Sequence, residues 1–168
     1  MSLRDALNEA TQRLASVSDT PRLDAELLMA HALGLSRDAL LLGSRDAPSP
    51  AGFDALVDRR AAHEPIAYIT GTRDFWTISL AVAPGVLIPR PDSETLIEAA
   101  IEYFASPTGN GRGPSSILDL GTGSGALLLA ALSEWPEAHG LGIDASDLAL
   151  EIASANARRL GLTPRVRF

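Results

Sequence analysis

Cysteine is absent from the 168 residues, which removes disulfides, thiolate zinc ligands and cysteine nucleophiles together. An excess of positive charge is missing too: 14 Lys and Arg stand against 21 Asp and Glu, a formal net charge of −7. Nucleic-acid backbones are bound by clustered cations, so a direct nucleic-acid partner is not expected. No run of about 18 uncharged apolar residues occurs, and the opening MSLRDALNEATQRL carries charges where a signal peptide would be apolar. No membrane span is therefore expected, and the chain reads as cytoplasmic. The three histidines, His31, His63 and His139, lack metal-ligand spacing, so no metal site is expected. What is present is 46% hydrophobic and 21% charged residues, ordinary for a globular chain with one good core or two small ones.

Three stretches differ in period. In residues 1–63 the apolar positions Leu3, Ala6, Leu7, Ala10 and Leu14 recur at helical spacing. A second helix follows Thr20-Pro21 and ends at Gly34, a third starts at Ser36, and a fourth is opened by Ser49-Pro50. This part predicts a helical bundle that packs or docks protein. Residues 64–90 turn to β-branched and aromatic residues, predicting a hairpin with its turn near Gly71 to Asp74, then an extended segment from Ile88 to Pro91. From residue 91 a helix capped by Asp92 or Ser93 and striped by Leu96, Ile97, Ala100, Ile101 and Phe104 precedes an exposed loop, Ser106 to Ser116. Alternating strands and helices follow to the "RVRF" at Arg165 to Phe168, the start of a doubly wound parallel sheet.

Within that last stretch ILDLGTGSG, Ile117 to Gly125, runs from a strand into glycines at alternate positions. Such a bare turn lets a nucleotide approach the main chain. Gly121-x-Gly123-x-x-Ala126 also satisfies the dinucleotide fingerprint formally, with Asp144 placed for a ribose. The sign of the charge decides between ligands. Asp119, beside the turn, would oppose an anionic pyrophosphate, whereas S-adenosylmethionine presents an ammonium and a cationic sulfonium there. Its carboxylate would use the positive end of the following helix, and Asp144 would accept the ribose hydroxyls or cap the helix at Ser146. The candidate cofactor residues are Asp119, Gly121, Thr122, Gly123, Ser124, Gly125 and Asp144.

The segments TPRLDAELLMAHALGLSRDALLL, EPIAYITG, GTRDFW, LIPRPDSE, ILDLGTGSGALLLAAL and GIDASDLALEIASANARRLGL together resemble the protein-(glutamine-N5) methyltransferases that modify peptide chain release factors. The resemblance covers nearly the whole chain. It implies an α/β fold: an N-terminal helical docking domain (1–63), a β-hairpin linker (64–90), and from 91 to 168 the first half of a class I, Rossmann-like, S-adenosylmethionine-dependent methyltransferase domain. It also implies methyl transfer to the glutamine side-chain amide of a Gly-Gly-Gln loop. A ribosomal protein as substrate is the near alternative, with a noncatalytic binding module or a nicotinamide-dependent oxidoreductase the alternatives of other classes. By the same resemblance Arg90, Pro91, Glu94 and Phe75 are expected along the pocket. The family's Asn-Pro-Pro-Tyr motif, which holds the substrate amide, does not occur here, so no catalytic residue is assigned, and the chain is expected to be an N-terminal portion of a longer protein and inactive alone.

Overall fold

In the computed structural model, residues 1–43, 46–109 and 111–168 are described, and the chain divides into two compact units, Met1–Thr70 and Gly71–Phe168. The first is all helical: α1 (Leu3–Leu14), α2 (Pro21–Leu33), α3 (Arg37–Leu42), α4 (Phe53–Ala61) and α5 (Ile66–Thr70). All five residues of the stripe predicted for α1 are buried. Ser2 and Asp5 cap its start reciprocally, the serine hydroxyl accepting from the Asp5 amide. Gly34 ends α2 in the left-handed conformation and the Ser36 hydroxyl caps α3, as their positions predict. Thr20 precedes α2 without making a side-chain cap. The core gathers Leu7, Leu14, Leu28, Met29, Phe53 and Val57. Two buried carboxylates on α2 staple this core. Asp24 accepts from Arg60 of α4 at 2.7 Å, and Glu26 accepts from Arg22 at 2.7 Å and Arg37 at 2.8 Å.

Residues 66–70 correct one expectation. Their β-branched content suggests strand, yet they form α5, with the Pro65 carbonyl accepting from the Tyr68 and Ile69 amides and with Ala67 and Ile69 buried. Tertiary burial overrides a weak local preference over so short a run.

The second unit opens with a hairpin of β1 (Thr72–Phe75) and β2 (Ile78–Ala81), in register Phe75↔Ile78. Its turn is therefore at Trp76-Thr77, not near Gly71 to Asp74. Two-residue hairpin turns favour glycine or asparagine, and neither is present there. Trp76 takes the positive φ instead, at 54°, and is held by two carboxylates: its amide donates to Glu94 at 3.0 Å and its indole Nε1 to Glu134 at 2.6 Å. After a 3-10 turn at Pro91–Ser93 comes α6 (Glu94–Ala105). It begins without a side-chain cap from Ser93, and of its predicted stripe only Ile97 is fully buried. In its last turn, before the following loop, Phe104 meets Trp135 edge-on at 5.5 Å between ring centroids. Asn110 of that loop lies outside the described residues.

The sheet is parallel, ordered β3 (Ser116–Leu120), β4 (His139–Ile143), β5 (Val166–Arg167), with α7 (Ala126–Glu134) and α8 (Asp147–Arg159) as its connections. Register runs Ser116↔His139 to Leu120↔Ile143. One face packs under α7, flush enough that a Cβ on Gly140 would stand 2.8 Å from Leu128. The opposite face carries Leu118, Leu120, Leu141 and Ile143, which are 59%, 72%, 38% and 47% exposed. The hairpin belongs to the same core as α7, since Phe75, Ile78 and Leu80 pack with Leu128, Leu129 and Leu132.

Candidate cofactor site

The site stands at the carboxyl ends of β3 and β4, where parallel sheets present ligands. Gly121, Gly123 and Gly125 have φ of 76°, 55° and 82°, so each of the three alternate glycines occupies the left-handed region that other residues rarely adopt. The turn is tied to β4 by its own main chain: the Gly121 and Thr122 amides both donate to the Ile143 carbonyl, at 2.7 and 3.0 Å. Gly125 then enters α7, whose first-turn N–H groups have no partner within the helix and carry its positive dipole end.

The two aspartates flank this turn and do different work. Asp119 accepts from the Thr122 hydroxyl at 2.8 Å. Asp144 accepts from the Gly123 amide at 2.9 Å through one oxygen and from the Ser146 amide at 2.9 Å through the other. Hydrogen bonds from the Ser146 and Gly123 amides hold the Asp144 carboxyl below the usual carboxylate range, so it is ionised at neutral pH. Each of its oxygens keeps lone pairs for further donors. The helix cap after it is made by Ser146, whose hydroxyl accepts from Ala149, rather than by Asp144.

A cleft of about 400 Å³ opens on the Asp119 side of the turn. The turn residues Gly121 to Ser124 form one wall, and Phe75, Leu87, Pro89, Arg90 and Ser93 form the other. Of the four residues expected along the pocket, Phe75 and Arg90 line it. Pro91 and Glu94 do not, and Glu94 is occupied with the Trp76 amide. Thr122 and Ser124 are 5% and 2% exposed, and the Thr122 hydroxyl is engaged by Asp119. Sequence reasoning missed Asn156. It is fully buried, and its amide bonds reach both Ala81 and Ser124. Among the described residues no group of acidic, histidine or cysteine side chains could hold a metal ion, and no helix is long and apolar enough to cross a membrane.

Residues 5–71 match the PrmC N-terminal domain, and residues 114–168 match a methyltransferase domain. A release factor glutamine methyltransferase of Aliivibrio fischeri is 43% identical over 162 residues, 94% of this chain. The chain is a relative of the release factor glutamine methyltransferases. Proteins of that name from Moorella thermoacetica and Escherichia coli are 44% and 39% identical, over 99% and 96% of this chain. The alignments take in 55%, 58% and 57% of those three proteins, so the chain spans little more than half the length of the curated relatives it matches.

Proposed function

We propose that this chain carries the methyl-donor site and the substrate-docking helices of a release factor glutamine methyltransferase, which methylates the side-chain amide nitrogen (N5) of the glutamine in a Gly-Gly-Gln motif. The reading rests on one arrangement above all: three left-handed glycines between two carboxylates. Negative charge on both sides of a bare turn suits a cationic ligand with ribose hydroxyls and opposes a diphosphate.

S-adenosylmethionine fits that donor set, and when bound it supplies an electrophilic methyl group. The first-turn amides of α7 would hold its carboxylate, and Asp119 would hold its ammonium. Asp144, already ionised and pinned by two amides, would accept from the ribose hydroxyls. Phe75, Pro89 and Arg90 line the far side of the cleft. Amide nitrogen is a weak nucleophile, so the chain's contribution is to hold the methyl carbon in a fixed line of approach. No residue of this chain is assigned to hold the substrate amide.

Isothermal titration of the chain tests the reading. S-adenosylhomocysteine binds, Asp144→Ala weakens it by about tenfold, the loss of charged hydrogen bonds, and NADH does not bind. NADH binding, or binding of neither ligand, overturns it. The N-terminal unit is expected to bind a release factor bearing the Gly-Gly-Gln loop. Preference for a ribosomal protein instead would reassign the substrate while leaving the cofactor site intact.

A further inference from the structure

We infer that Asn156 of α8 is a positioning residue for the cofactor turn, fastening the hairpin wall of the cleft to the turn wall and so fixing the spacing between them. The inference rests on the methyl-donor reading only for the identity of the ligand.

Asn156 is 75 residues from Ala81 and 32 from Ser124 in the chain, yet it joins both. Its Oδ1 accepts from the Ala81 amide at 2.7 Å, while Nδ2 donates to the Ala81 carbonyl at 3.0 Å and to the Ser124 carbonyl at 2.9 Å. The orientation of the side-chain amide follows from the partners: only an oxygen can face the Ala81 N–H, and only an NH2 can serve two carbonyls. Both amide protons are thus used, and the residue is wholly shielded from water. Ala81 ends β2, whose hairpin partner Phe75 lines the cleft. Ser124 lies in the turn between two left-handed glycines.

The helix brings this amide in close because its buried residues are small. Ala149, Ala153 and Ala157 are buried on α8 along with Asn156. A Cβ added to Gly125 would stand 3.3 Å from that of Ala153, so α8 rests directly on the turn one helical step from Asn156. A glycine-rich turn is entropically costly to order and has few side chains of its own to hold it. A buried amide with three satisfied bonds from a neighbouring helix supplies that order. Asn156 thus ties the last residue of the hairpin directly to the turn, so that the cleft's two walls are coupled through its side-chain amide.

Ala81 lies outside the cleft lining, which makes it a reporter. In the unaltered chain, saturation with S-adenosylhomocysteine should slow hydrogen exchange at the Ala81 amide as well as across residues 121–126. Asn156→Asp keeps the shape but removes both donated bonds. It should weaken S-adenosylhomocysteine binding by about tenfold and speed exchange selectively in residues 78–82 and 121–126. Leu132→Ala, a core truncation in α7, serves as the comparison: it should lower stability while changing the dissociation constant less than about twofold. The inference is overturned if ligand leaves Ala81 exchange unchanged, or if Asn156→Asp binds like the unaltered chain, or if its exchange pattern matches that of Leu132→Ala. Should Asn156→Asp not fold, the Ala81 measurement on the unaltered chain decides alone. Should no nucleoside bind, the methyl-donor reading fails and the exchange contrast between the two variants still decides the role of Asn156.

Discussion

The two units bury polar groups in opposite ways. Among the described residues of Met1–Thr70 the buried polar side chains are two carboxylates, Asp24 and Glu26, each met by arginine. In Gly71–Phe168 they are neutral, Thr122, Ser124 and Asn156, and all three stand at or against the glycine turn. A buried ion pair staples helices; it offers no free valence to a ligand and adds little net stability over apolar packing. Here the Asn156 amide bonds main chain on both sides and the Thr122 hydroxyl bonds Asp119, so neutral groups order the turn without neutralising its carboxylates. The contrast separates a unit whose buried charge is spent between its own helices from a unit whose buried polar groups gather at one turn.

The sharpest way to break the contrast is Asp24→Ala. It leaves the Arg60 guanidinium, whose side chain is only 16% exposed, without its carboxylate. Losing one partner of a buried pair costs about 3–5 kcal/mol, so urea denaturation should show a large fall in stability of the helical unit. S-adenosylhomocysteine affinity should stay within about twofold, as expected for sites that share no hydrogen-bond partner; a comparable fall in affinity would erase the distinction between units.

Gly125→Ala should act in reverse, on both stability and ligand. Its φ of 82° strains any side chain, and the new Cβ would stand 2.9 Å from Leu129. Strain of this kind costs about 1–3 kcal/mol, and titration should show binding weakened by more than the accompanying loss in unfolding midpoint explains.

The smallest effect is on pH dependence. Burial pushes the Glu26 carboxyl up, but hydrogen bonds from Arg22 and Arg37 outweigh it and hold the group below its ordinary value of 4.5. A carboxylate depressed in the folded state stabilises fully above its unfolded pKa and loses that contribution as pH falls through the folded one. Unfolding midpoints between about pH 7 and pH 3.5 should therefore fall more for the unaltered chain than for Glu26→Gln. Equal slopes would remove the ion pair from the account of the first unit.

Much of this was legible in residue order because the deciding signals were local. The α1 stripe announces itself by spacing, and alternate glycines after a strand announce a left-handed turn that the φ values bear out. The hairpin turn at Trp76 was not legible, because its positive φ is stabilised by Glu94 and Glu134, which are 18 and 58 residues away. Asn156 was invisible for the same reason: in the sequence it is one polar residue on an amphipathic helix, and only folding brings Ala81 and Ser124 to it. Pro91 and Glu94 show the converse, since adjacency to Arg90 in the chain did not carry them into the cleft lining.

The bare leucine and isoleucine face of the three-stranded sheet bears on how the protein behaves in a tube. Four greasy side chains turned to water beside a strand of limited length make an adhesive plane. Colloidal behaviour will be governed by that plane more than by the net charge of −7, and light scattering should rise with concentration even where repulsion between acidic molecules would keep them apart.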